Sequence, residues 1–114
     1  MYTYHYRPGY GSQQLLIEIY SGTEKEDFMT DLFIALAELH PEIIRQTEVW
    51  INDEILLEIK TDLGEVTLSR DIWDLVFILA ENNQPCLSKI NELLAAHEKF
   101  TKVEVDFKNY VLKT

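Results

Sequence analysis

Val49-Trp50-Ile51-Asn52-Asp53-Glu54-Ile55-Leu56-Leu57-Glu58-Ile59-Lys60-Thr61-Asp62-Leu63-Gly64-Glu65-Val66-Thr67-Leu68 is the stretch that decides the fold. Apolar and polar residues alternate along it between two turn signals, the pattern of half-buried strands joined by hairpins. With Asn52-Asp53-Glu54 as a three-residue loop, Ile51 faces Ile55 and Val49 faces Leu57. With Thr61-Asp62-Leu63-Gly64 as a four-residue loop, Ile59 faces Val66, Leu57 faces Leu68, and Lys60 faces Glu65 as an opposite-charge pair. These registers gather Val49, Ile51, Ile55, Leu57, Ile59, Val66 and Leu68 on one face, and a slip of one residue would scatter the set. The opposite face then carries Glu48, Trp50, Leu56, Glu58 and Thr67. Glu48 and Glu58 would lie directly across from each other, which is unfavourable without a counter-ion.

Helical signals flank this meander. Upstream, Thr23 and Glu26 have the spacing of a reciprocal capping pair. Phe28, Met29, Leu32, Phe33, Leu36 and Leu39 follow at helical spacing, and His40-Pro41 ends the helix because the residue before proline is pushed out of the α region. Downstream, Asp71 is expected to cap a second helix whose Ile72, Trp73, Leu75, Val76, Phe77 and Leu79 are apolar nearly all round. Asn82-Asn83-Gln84-Pro85 breaks it, and Pro85 opens a third helix that runs to about Phe100. Leu87, Ile90, Leu93, Leu94 and His97 would line the inner side of that helix.

Strands are expected at both ends of the chain. Alternation at residues 2–6 places Tyr2, Tyr4 and Tyr6 on one face, and Arg7-Pro8-Gly9-Tyr10-Gly11-Ser12 is turn chemistry. Residues 14–20 read as a strand with Leu15, Ile17 and Ile19 on one side, and residues 102–111 as a closing strand beside the first. The outline is strand, helix, three-strand meander, two helices, strand. It describes a single α+β domain spanning residues 1–114, with helices packed on a mainly antiparallel sheet.

The chain carries 10 Lys and Arg against 20 Asp and Glu, a formal net charge of −10. The excess is uneven: residues 18–81 hold 16 acids and only Lys25, Arg45, Lys60 and Arg70 as bases. Such a one-sided field repels polyanions, so nucleic acid and anionic membrane are not expected ligands. The longest apolar stretch, residues 72–80, is interrupted by Asp74 and falls far short of the roughly 20 residues of a membrane span. The aromatic start does not read as a secretory signal. A lone cysteine, Cys86, allows no internal disulfide and no Cys-based zinc site, which fits a cytoplasmic protein.

No arrangement of residues identifies a reaction. None of Ser12, Ser21, Ser69 and Ser88 sits in a glycine-flanked elbow, and Cys86 has no neighbouring base. His5, His40 and His97 are dispersed, so neither a metal nor a cofactor is expected. The expectation is a non-catalytic protein. Two features point to recognition of a protein. Glu24, Asp27, Asp31 and Glu38 form a near-stripe on the first predicted helix, and the meander offers Trp50 between Glu48 and Glu58. Carboxylates in such positions suit a basic cleft, where charge pairs speed association. Tyr4, Tyr6 and Tyr10 are further candidates, because tyrosine is enriched at interfaces.

Small size, one domain, strong one-sided acidity and the lack of a catalytic motif resemble the design of bacterial immunity proteins. These include the partners of contact-dependent growth inhibition toxins and the barstar-type nuclease inhibitors. The resemblance is one of design class across the whole chain, and no family motif carries residue roles over. It implies an immunity protein that binds a cognate basic toxin, such as a nuclease, and occludes it stoichiometrically, the chain being a monomer or homodimer when free. The alternative is a small adaptor or regulatory domain acting as a homodimer.

Overall fold

The computed structural model describes residues 1–80 and 82–110. In chain order its elements are β1 (Tyr2–Pro8), β2 (Leu15–Ser21), α1 (Phe28–Ala35), β3 (Glu42–Val49), β4 (Glu54–Thr61), β5 (Gly64–Arg70), β6 (Val76–Leu79), α2 (Gln84–Ala96) and β7 (Phe100–Lys102). The strands form one sheet in the order β3-β4-β5-β6-β2-β1-β7. Every pairing is antiparallel except that of β1 with β7. The chain is thus an α+β domain with a mainly antiparallel sheet.

The core lies between the helices and one face of the sheet. That face supplies Tyr2, Tyr4, Ile17, Ile19, Leu57, Ile59, Val66, Leu68, Val76 and Ile78, all buried. Phe28, Leu32 and Leu36 cover it from α1 and its end, and Cys86, Leu87, Ile90 and Leu94 from α2. Pro85 stands at the start of α2, as the sequence implies.

The β4–β5 hairpin has the expected register: Ile59 pairs with Val66, Leu57 with Leu68 and Lys60 with Glu65. The β3–β4 hairpin does not. Glu48 pairs with Ile55 and Val49 with Glu54. Trp50–Asn52 forms a 3₁₀ turn, closed by an Asp53 N–H bond to the Trp50 carbonyl of 3.3 Å with Asp53 at φ 48°. This register turns β3 over relative to expectation. Ile51 is 96% exposed, and Glu58 faces Arg45 rather than Glu48. The physical reason is that β3 is an edge strand whose residues are exposed apart from half-buried Val49. Burial selects register only where a face is covered.

Residues 71–79 form no helix. Val76–Leu79 is β6, a strand inside the sheet between β5 and β2. A short apolar run fits a buried strand as well as a buried helix, and periodicity does not separate them. Asp71 does cap, but it caps a turn: its carboxylate accepts the N–H groups of Trp73 at 2.9 Å and Leu75 at 3.0 Å. Trp73 and Ile72, expected inside, are exposed on that turn.

The first helix is shorter than its periodicity suggests. Residues 22–27 make turns, α1 supplies two turns of helix, and Ala37–Leu39 continues as 3₁₀. Thr23 is buried and its hydroxyl donates to the Asp74 carbonyl, so it does not form a capping pair with Glu26. Gly22, at φ 91°, lies so close to β1 that an added Cβ would stand 2.5 Å from the Met1 carbonyl oxygen. The helical segment ends at His40, which takes a left-handed φ of 52° before Pro41.

The closing strand is also short. Phe100–Lys102 pairs in parallel with β1 and is separated by it from β2, the strand that leads into the first helix. Residues 103–106 are irregular and Phe107–Tyr110 forms a 3₁₀ turn. Val111, the last residue of the expected strand, lies outside the described residues.

Candidate functional site

Antiparallel pairing brings three connections to one end of the sheet. They are the 50–53 tip after β3, the 71–75 turn after β5 and the 22–27 loop after β2. The registers place them side by side, since Ile55 pairs with Arg70, Arg70 with Val76, and Val76 with Ile19. The Thr23 hydroxyl bond to Asp74 and the Arg70 guanidinium bond to the Thr23 carbonyl tie loop to turn.

This end carries Trp50 at 82% exposure and Trp73 at 79%, with exposed Ile51 and Ile72 beside them. Exposed large apolar groups gathered in one place mark interaction sites more often than scattered ones do. The same three connections and their flanks carry Glu24, Glu26, Asp27, Glu48, Asp53, Glu54 and Asp71. Among the described residues, none of these seven carboxylates makes an ion pair. Asp74 is held by Arg70 at 3.5 Å. Glu48, Trp50, Asp53 and Glu54, with Val49 and Ile55, line an open depression of about 350 Å³. An indole face beside three carboxylates is chemically suited to a guanidinium or ammonium group, through cation–π attraction and charge-assisted hydrogen bonds.

The residues singled out from the sequence divide into three groups. Glu24, Asp27, Glu48 and Trp50 come together at this end. Glu38 and Glu58 are elsewhere and are paired within the chain, Glu38 with Lys89 at 3.1 Å and Glu58 with Arg45 at 3.3 Å. The hydrogen bond to Glu38 is the main cause that raises the Lys89 pKa above its usual value. Tyr10 is exposed at the opposite end of the sheet, packed on Tyr110 with ring centres 4.9 Å apart. The Arg7 guanidinium lies over both rings and also bonds Glu18 at 2.9 Å.

Asp31 and Tyr4 are interior and Tyr6 is half-buried against the core, so Asp31 drops out of the expected carboxylate stripe, and Tyr4 and Tyr6 present no tyrosine face to a partner. Asp31 is 6% exposed and accepts hydrogen bonds from the Tyr2 hydroxyl at 2.5 Å and Lys99 at 3.0 Å. The Tyr2 bond, then the Lys99 bond, hold its carboxyl below the usual range. Burial first, and then the bond to Asp31, push the Tyr2 phenol up to about 12. Tyr4 is 0% exposed, and burial raises its phenol to about 12 as well. The stripe breaks up because only Asp31 of its four carboxylates lies in α1, on the side that faces the core, while Glu24 and Asp27 lie in the loop before it and Glu38 in the 3₁₀ turn after it. Partners from β1 and the β7 approach make burial of Asp31 tolerable.

Trp73, Ile72 and Ile51 were not anticipated at the surface. The signal for Trp73 was the Asp71–Asp74 pair around it: two turn-forming residues three apart, with Asp74 now at φ 58°. Among the described residues no group of three or more His, Cys, Asp and Glu is placed to hold a metal ion. Nor is any helix among them long and apolar enough to cross a membrane. Comparison with protein-family models, with curated proteins and with solved structures returned no match.

Proposed function

We propose that this chain is a non-catalytic binding protein of the immunity type. It neutralises a cognate basic protein toxin, such as a nuclease, by occupying its cationic surface in a stoichiometric complex in the cytoplasm. One observation carries the reading: Trp50 and Trp73 stand exposed at one end of the sheet among seven carboxylates that the described residues leave without ion pairs. Tryptophan is enriched among residues that dominate binding energy, and surrounding charges steer encounter. In this reading the tryptophans are the apolar anchors. The carboxylates stand in for the phosphates that a basic nuclease would otherwise bind.

The test begins with the immobilised chain and a lysate of the source cell, followed by purification of whatever basic protein is retained. The complex should be 1:1, and association should slow steeply as salt rises. Replacing Trp50 and Trp73 together by Ala should weaken it by about 30-fold or more, the effect of losing one hot-spot residue. A retained protein that is acidic, or that binds the double variant equally well, removes the reading. The alternative, an adaptor acting as a homodimer, draws its support from the outer edge of β3, with which no strand among the described residues pairs.

A further inference from the structure

The edge of the sheet next to this end has its own chemistry. β3 is eight residues long and lies outermost in the sheet. Among the described residues no strand pairs with its outer side. An edge strand offers a row of N–H and C=O groups to another chain, and natural edges are blunted by charged side chains, Lys above all, by Pro, by β-bulges or by short length. Glu42–Val49 contains neither Lys nor Pro. A register shift between Ile43 and Arg45 bends only its start, leaving residues 45–49 regularly paired to β4. The other outermost strand, β7, has three residues.

An apolar groove runs beside this edge. Met29, Phe33, Ile34 and Ala37 from α1 and its end, with Ile43 from β3, line a space of about 510 Å³. Ile34 is 58% exposed, and Ile43 and Ile44 are exposed as well. Glu42 and Glu48 stand near the two ends of the strand, and its one base, Arg45, is engaged by Glu58 at 3.3 Å.

We propose that the outer edge of β3 takes an extended segment of a cationic protein as an eighth strand. Alternate apolar side chains of that segment enter the α1 groove on the face that carries Ile43, and the Lys or Arg residues between them, on the opposite face, meet Glu42. Strand addition gains affinity from main-chain bonds and specificity from pockets for alternate side chains, and this edge presents both. A second copy of the chain is a poorer occupant. It brings another net charge of −10 and sets a carboxylate-bearing edge against its own kind. The proposal deepens the reading of a basic partner, from which it takes only the sign of that partner's charge.

A capped nine-residue peptide alternating Lys with Val and Ile is a suitable probe, titrated into the ¹⁵N-labelled full chain. The control is the same peptide N-methylated at alternate amides, which keeps charge and side chains but blocks one hydrogen-bonding edge. The expected result is amide shifts and slowed exchange confined to residues 42–49 and the groove. The control should bind at least ten-fold more weakly, and Ile34→Ser should lower affinity several-fold. Equal binding of both peptides, shifts mapping only to the Trp50 and Trp73 end, or no binding overturns the proposal. So does a concentration-dependent dimer of the free chain that protects the same amides. Loss of the tryptophan anchors tests the earlier reading and leaves this peptide's binding intact, so the two fail separately.

Discussion

Two aromatic groups share one end of the sheet and are treated in opposite ways. Tyr2 and Tyr4 enter the core from β1, and the chain answers each polar atom they bring inside: the Tyr2 hydroxyl meets Asp31, and the Tyr4 hydroxyl meets Asn91 at 3.0 Å. Trp50 and Trp73 stay in solvent, and of the carboxylates at their end Asp71 caps the turn while Glu24, Glu26, Asp27, Glu48, Asp53 and Glu54 make no ion pair among the described residues. Residue type does not separate the two groups, since both combine aromatic rings with acids. What separates them is whether the fold itself supplies the partner, as Lys99 does for Asp31 at 3.0 Å. An acid satisfied internally is structural. An acid left open beside an exposed indole is available for recognition.

That contrast breaks most easily at its buried side. Tyr4→Ala should cost about 3–5 kcal/mol of stability, the range for truncating a buried aromatic, read from urea unfolding. A cost below that of a surface substitution would show that Tyr4 is not interior. Tyr2→Phe keeps the ring and removes one hydrogen bond to a charged acceptor, so it should cost about 1.5–3 kcal/mol.

The pH profile sharpens the comparison further. The Tyr2 and Tyr4 phenols are raised from 10.0 to about 12 in the folded state. Their contribution is therefore complete below about pH 10 and is lost as pH rises toward 12, because the unfolded chain ionises first. Asp31 has the opposite sign. Its folded pKa is lowered, so its contribution is present above the unfolded carboxylate range near 4 and is lost as pH falls through the folded value. Tyr2→Phe should flatten part of both limbs. An unchanged acid limb in that variant would mean that the Tyr2–Asp31 bond does not exist in solution.

The smallest effect belongs to the exposed side. Trp50→Ala and Trp73→Ala should each change stability by no more than about 0.5 kcal/mol, as surface substitutions do. A large loss would mean that the indoles are structural and that the end of the sheet is no binding surface.

Legibility in the sequence followed burial. The β4–β5 register could be read because both strands are covered on one face, so a one-residue slip would scatter Leu57, Ile59, Val66 and Leu68 between core and solvent. The β3 register could not be read, because an exposed edge has no face to bury. The 76–79 run lacked a period that distinguishes strand from helix, and that ambiguity hid Trp73. Alternation placed Tyr2, Tyr4 and Tyr6 on one face, but it could not say which side of the sheet the helices would cover. Of the candidate site, Glu24, Asp27, Glu48 and Trp50 were named individually. Their convergence depends on strand order, which local pattern does not encode.

The account rests on the claim that the end of the sheet bearing Trp50 and Trp73 is where a basic protein docks. Isothermal titration of the purified partner against the intact chain and the Trp50→Ala/Trp73→Ala chain, at low and at high salt, tests it most directly. The account predicts one-to-one binding that weakens steeply with salt and falls by about 30-fold or more in the double variant. Equal affinity for both chains, with no dependence on salt, would contradict it.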